Sequence, residues 1–111
     1  MIKNLRYEKP KHEWDVRVDR TSILGNPFYM QNESQRDEVC DKYEEYFQEK
    51  MKNDEKFRRE VERLCILFIK HGELNLFCWC SPKRCHAETI LKGMIKHCTN
   101  VRDVQLNNLN L

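Results

Sequence analysis

Residues 73–80 read Glu-Leu-Asn-Leu-Phe-Cys-Trp-Cys, an almost unbroken apolar run with Gly72 in front of it and Pro82 behind. A run this short, rich in aromatic side chains and closed by chain breakers, has the character of a strand buried on both faces. Strands of that kind belong to parallel sheets covered by helices, so this segment sets the frame for the rest of the chain. The pattern predicts the central strand here. Residues 14–19 add a shorter one, with Trp14, Val16 and Val18 on one face and Asp15, Arg17 and Asp19 on the other.

Between the two strands the period becomes helical. Val39, Tyr43, Phe47 and Met51 recur every four residues in a helix that Asn32 or Ser34 can cap, with Gln35 or Asp37 as the reciprocal partner. A second helix starts near Asn53 or Asp54, turns Phe57, Val61, Leu64, Cys65, Phe68 and Ile69 inward, and stops at Lys70-His71-Gly72. Ser81-Pro82 reads as a helix start, followed by the stripe Ile90, Leu91, Met94, Ile95 and Cys98, with Gly93 on the exposed face. Residues 101–106 read as an edge strand and 107–111 as a fraying end. The order strand, loop, two helices, strand, loop, helix is a crossover unit. It predicts a small single-domain α/β fold with a short, mostly parallel sheet and about three helices. Residues 14–98 form its core, with 1–10 and 107–111 peripheral.

A chain of 111 residues, 40% hydrophobic and 34% charged, is sized for one domain and is no disordered tail. Its longest apolar run, Leu64 to Ile69, falls well short of the roughly 18 residues a membrane span needs. The N-terminus is charged and carries no signal-type apolar stretch, so a soluble, cytoplasmic protein is expected. Twenty basic against eighteen acidic residues leave a net charge of +2, too small to point to nucleic acid. Without a secretory signal, the six cysteines are expected reduced, with Cys40, Cys65 and Cys98 acting as small buried hydrophobes.

In a parallel sheet ligands gather where strand-to-helix loops leave the carboxyl ends. The 20–28 and 80–86 loops both leave such ends and face one crevice if their strands are neighbours. Arg20 carries a planar fork suited to phosphate or carboxylate, although a surface salt bridge explains it as well. Asn26 between Gly25 and Pro27 can serve a turn or lend its amide to a ligand, and Thr21 and Ser22 supply hydroxyls. Arg36 and Tyr43, two helical turns apart, can both reach the crevice, while Tyr43 also suits packing. Cys80, Cys85 and His86 stand at the mouth of the third helix beside Lys83 and Arg84, surroundings that favour an anion or a thiolate.

Three readings of this segment stand side by side. Cys85 is a nucleophile with His86 or Glu88 carrying the proton; or Cys78, Cys80, Cys85 and His86 bind zinc, against which the C-x-C-x4-C-H spacing lacks paired C-x2-C knuckles; or the loop binds an anion and its cysteines are structural. His12, His71 and His97 show no partner pattern.

The segments Arg20-Thr-Ser-Ile-Leu-Gly-Asn-Pro-Phe28, Arg36-Asp37-Glu38 with Tyr43, and Cys78-Trp-Cys-Ser-Pro-Lys-Arg-Cys-His86 together resemble a family of small phage and bacterial proteins described as a domain of unknown function. The likeness runs from about Val16 to Ile95. It implies that Arg20, Gly25, Asn26, Pro27, Phe28, Arg36, Tyr43, Cys80, Pro82, Cys85 and His86 occupy the family's motif positions. It also implies a Rossmann-like layer and a phage or mobile-element origin, with the host cytoplasm as location. Members commonly carry Gly before the matching arginine and Gly-Asp after the histidine; here Asp19, Ala87 and Glu88 stand instead.

The expected function is binding of a small phosphorylated or nucleotide-like molecule in the crevice, with Arg20 and Arg36 on the anion, Gly25, Asn26, Tyr43 and Cys80 around it, and Cys85 and His86 as candidate catalytic groups. No cofactor is expected beyond the zinc alternative. The competing expectation is a non-enzymatic module acting on a host protein. Nucleic-acid binding through Lys83 and Arg84 ranks last, and an unpaired sheet edge at 14–19 or 101–106 would permit a homodimer.

Overall fold

The computed structural model describes residues 2–80 and 83–109. Strands β1 (Ile2–Arg6), β2 (Asp15–Arg17) and β3 (Leu74–Cys78) form one sheet in the order β1-β3-β2, both outer strands running parallel to β3. Ile2 stands opposite Leu74 and Arg6 opposite Cys78; on the other side Asp15 faces Asn75 and Arg17 faces Phe77. A 3-10 turn at Glu33–Gln35 leads into α1 (Arg36–Asn53), followed by α2 (Glu55–His71), α3 (His86–His97) and α4 (Thr99–Leu109). This is a small α/β domain with a central buried strand, as the 73–80 run requires.

The helix boundaries follow from local chemistry. Asn32 accepts a hydrogen bond from the Ser34 N–H, and Gln35 reaches back to accept one from the Gln31 N–H at 2.8 Å. Asp54 is extended, which ends α1, and its carboxylate accepts from the Phe57 N–H, which starts α2. Gly72 closes α2 in a left-handed conformation, φ 74°, that side chains with a Cβ adopt only at a cost. In the core, Leu74, Leu76 and Cys78 on one face of β3 meet Tyr43 and Phe47 of α1, Phe57, Val61, Leu64 and Phe68 of α2, and Ile90 and Met94 of α3. Phe77 alternates to the other face, where the Tyr7 ring stands edge-on at 6.4 Å.

Six expectations are corrected. The N-terminal segment is not peripheral: β1 pairs along all of its length with β3 and buries Ile2, while Leu5 is left 37% exposed. Its mixed polarity hides the strand, because backbone pairing at a sheet edge needs no apolar alternation. Residues 101–106 are helical, not an edge strand. Val101 and Gln105 are both buried four residues apart, and the Arg102 N–H donates to Cys98 O, continuing the helical path. Helix α3 begins at His86 rather than at Ser81-Pro82, which lies outside the described residues; Cys85, extended at φ −149°, caps it.

Cys65 and Cys98 are not free thiols but a disulfide joining α2 to the end of α3, with Cα atoms 6.5 Å apart. The helical stripes that bury Cys65 and partly bury Cys98 also aim them at each other, a pairing that spacing cannot express. Ile69 is 46% exposed whereas Leu67 is covered, because α3 and α4 cover α2 on the Leu67 side. Gly93 is buried against Phe47 instead of exposed.

Candidate functional site

Because β2 and β3 are parallel, hydrogen-bonded neighbours, the loops at their carboxyl ends emerge side by side. Between these loops and the start of α1 lies a cavity of about 240 Å³. Its lining includes Arg17, Asp19, Arg20, Thr21, Asn26, Met30, Arg36, Val39, Cys40, Cys78, Trp79, Cys80, Cys85 and His86. The two segments that stood out in the sequence are thus walls of one crevice.

The first wall is organised around Asp19, which is only 4% exposed. Its Oδ1 accepts from the Thr21 hydroxyl at 2.6 Å and the Thr21 N–H at 3.2 Å; its Oδ2 accepts from Arg17 Nη2 at 2.6 Å and from the Trp79 indole N–H at 3.2 Å. Burial pushes this carboxyl up, but Thr21 and Arg17 together hold it below the ordinary aspartate range, so it stays charged. Asp19 therefore ties the end of β2 to the turn after β3.

The loop then folds tightly onto itself. A Cβ on Gly25 would stand 2.4 Å from Asp19 O and 2.7 Å from Arg20 Cα, so only glycine permits the approach. Asn26 accepts the Phe28 N–H in an Asx turn. Arg20 donates to Asn26 O at 2.8 Å and to Phe28 O at 3.0 Å, with its guanidinium 4.1 Å above the Tyr29 ring. Arg20, Gly25 and Asn26 thus shape the wall, and the Arg20 fork spends two of its donors within the loop. Tyr43 is fully buried and donates its hydroxyl to Leu24 O at 2.7 Å. It braces the loop from beneath and does not line the crevice.

The second wall is held down by charge. Arg84 reaches Asp37, Asp41 and Glu44 on α1, Lys83 pairs with Glu33, and Arg36 donates to Arg84 O while pairing with Glu33. The positive charges of Lys83 and Arg84 are therefore matched by carboxylates of the 3-10 turn and of α1 rather than offered to a polyanion. This clamp sets three sulfurs together. Cys78 and Cys85 have Sγ atoms 2.9 Å apart, and both thiols, with Arg36, are within hydrogen-bond reach of Cys80. Donation from Cys78 and Cys85, then the Arg36 guanidinium, hold the Cys80 thiol far below the ordinary cysteine range against the opposing effect of burial. Cys85 is driven the other way by its sulfur neighbours and by its own burial. The lowered thiol pKa of the trio thus falls on half-buried Cys80. Cys85, expected from sequence as the nucleophile, is a buried helix cap whose Sγ accepts from the Ala87 N–H.

His86 is buried beneath the crevice. Its Nε2 meets Val18 O, a contact that needs a proton on Nε2, and its ring lies edge-on to Tyr43 at 5.1 Å. Burial lowers its pKa from the ordinary histidine value, so the ring is neutral near pH 7 and joins the end of β2 to the start of α3. Among the described residues no group of three or more His, Cys, Asp or Glu is arranged to hold a metal. With Nε2 turned to a carbonyl, His86 does not join the three sulfurs through that atom. Arg17, Asp19 and Trp79 are lining residues the sequence reading did not select. The polar face of β2 signalled the first two, but only strand pairing shows that this face ends at Trp79.

The chain matches the family model Domain of unknown function (DUF4326) over residues 3–96 and belongs to that family. No curated protein and no solved structure matches it.

Proposed function

We propose that the crevice binds a small phosphorylated or nucleotide-like molecule. The observation that carries this reading is the enclosure of a single cavity by the two loops at the carboxyl ends of β2 and β3, where parallel sheets take their ligands. Met30, Val39 and Trp79 offer an apolar wall for a flat ring or a sugar face. Arg17, which shares the Asp19 carboxylate oxygen with Trp79, and Arg36 bring positive charge to the lining, Arg17 being 40% and Arg36 16% exposed. Arg20 acts through the loop it clamps. At about 240 Å³ the cavity suits a mononucleotide fragment or a sugar phosphate better than a dinucleotide. A phage-type setting and a host-cytoplasm location are carried by the motif resemblance alone, since the Cys65–Cys98 disulfide is uncommon in reducing compartments.

Thermal unfolding against a panel of nucleotides and sugar phosphates tests the reading. A ligand at a hundredfold excess over its Kd adds about 2.7 kcal/mol, several degrees in Tm. Arg36→Ala and Trp79→Ala should each remove the shift. A flat response across the panel, equal in wild type and variants, overturns it.

A further inference from the structure

Three cysteines converge on the crevice, a density that ligand binding does not require. We propose that Cys80 is the attacking thiol of a thiol–disulfide exchange centre, with Cys78 and Cys85 behind it as resolving thiols and a small disulfide bearing carboxylates as its co-reactant. Sulfur geometry carries the inference. The 2.9 Å between the Cys78 and Cys85 sulfurs is closer than the roughly 3.8 Å that tetrahedral angles and 2.3 Å bonds would keep between two thiolates on one zinc. It suits sulfurs that exchange a covalent bond. Cys80 lies beside this pair at the cavity wall, half-buried, next to the 56% exposed Trp79. An incoming disulfide therefore meets Cys80 first, and Arg36 and Arg17 in the same lining favour one that bears carboxylates.

The exchange balances without any other reagent. The Cys80 thiolate attacks one sulfur of R–S–S–R, forming Cys80–S–S–R and expelling RS⁻, which takes a proton from water. Cys85 or Cys78 then gives its proton to the hydroxide left by that transfer and attacks Cys80 Sγ. The mixed disulfide breaks, a disulfide forms within the trio and the second RS⁻ leaves. Two protein thiols are oxidised by two electrons, and one external disulfide is reduced to two thiols. The groups facing Cys80 are the Cys78 and Cys85 thiols and Arg36, with the neutral His86 and the buried Cys40 further out. Burial holds His86 toward its neutral form and raises the Cys40 thiol, so both favour uncharged surroundings for Cys80. The chemistry draws on the sulfur positions and on the lowered pKa of the Cys80 thiol, and it is independent of the phosphorylated-ligand reading.

The test uses the full reduced chain, pulse alkylation with iodoacetamide, oxidised glutathione as the probe and peptide mapping, which separates trio disulfides from Cys65–Cys98. Cys80 should alkylate first, at a rate nearly level from pH 6 to 8, whereas an ordinary thiol with pKa near 8.5 slows about tenfold per pH unit. Oxidised glutathione should yield a disulfide within the trio, and Cys80→Ser should abolish it. Cys85→Ser, which keeps a helix-capping side chain, should slow loss of the glutathione adduct from Cys80. The proposal is overturned if Cys80 alkylates with the pH profile of a free thiol, if no trio disulfide forms, or if Cys80→Ser oxidises as fast as wild type. A flat thermal response to nucleotides and sugar phosphates would leave these readouts unchanged, so the two readings fail separately.

Discussion

Gly93→Ala sets two known effects against each other at one atom. In an exposed helix the change gains about 1 kcal/mol, because alanine is the better helix former. In α3 the added Cβ would stand 2.3 Å from Phe47 Cε1 and 2.4 Å from Phe47 Cζ. Phe47 has nowhere to go: it is fully buried, with Phe57 edge-on at 5.4 Å and Tyr43 at 6.2 Å. Relief requires the ring or the whole of α3 to shift by about an ångström, and overpacking of this kind costs about 1–3 kcal/mol. With both contacts far inside van der Waals distance the cost lies at the upper end, leaving a net loss of about 2 kcal/mol. At about 4 °C per kcal/mol for a chain of this size, Tm should fall by about 8 °C. Urea and thermal unfolding of Gly93→Ala, Phe47→Leu and the double variant measure it. Removing the ring should make the alanine tolerable, with a coupling energy above about 1 kcal/mol. A Gly93→Ala protein as stable as wild type, or strictly additive changes, would refute the close packing of α1 on α3.

Reducing the Cys65–Cys98 bond, which spans 33 residues of sequence, should lower stability by about 3–4 kcal/mol on the loop-entropy account. Unfolding with and without dithiothreitol, beside Cys98→Ser, reads this, and equal Tm values in all three would count against the bond. His86 makes stability pH-dependent in a definite direction. Burial places its folded pKa below the 6.5 of the unfolded chain, so its contribution is complete above about 6.5. Below that value the unfolded state takes up a proton the folded state resists, and stability falls. Asp19, Asp54 and Glu33, whose pKa values are lowered on folding, lose their contributions only beneath the ordinary carboxylate values of 3.8 to 4.5. Urea midpoints between pH 6.5 and 5 should therefore fall in wild type and lie flatter in His86→Gln, whereas parallel curves would refute the assignment.

Much of the secondary structure is legible from local chemistry. Asp54 and Gly72 mark the ends of α2 because a cap and a left-handed residue act on their own neighbours, wherever the helix later packs. The apolar 73–80 run likewise declares a buried strand. Strand β1 escapes notice because its pairing uses backbone groups, and α4 was misread because a short run of mixed residues fits either period. At the site, the choice of loops was visible, since unusual glycine, proline and cysteine spacing marks backbone that must turn. The roles inside those loops were not. Cys85 sits in the same motif as Cys80, yet one became a buried cap and the other the charged sulfur.

A one-domain α/β chain whose parallel strands send two distinctive loops to the same end of the sheet is written into local sequence, because hydrophobic period and chain breakers act over a few residues. Packing alone settles which atoms meet: Asp19 with Trp79 across 60 residues, Cys65 with Cys98, Cys78 with Cys85, and Cys80 with Arg36. Charge state and reactivity depend on distances between groups far apart along the chain and on their shielding from water. Those distances exist only once β2, β3 and α1 have packed.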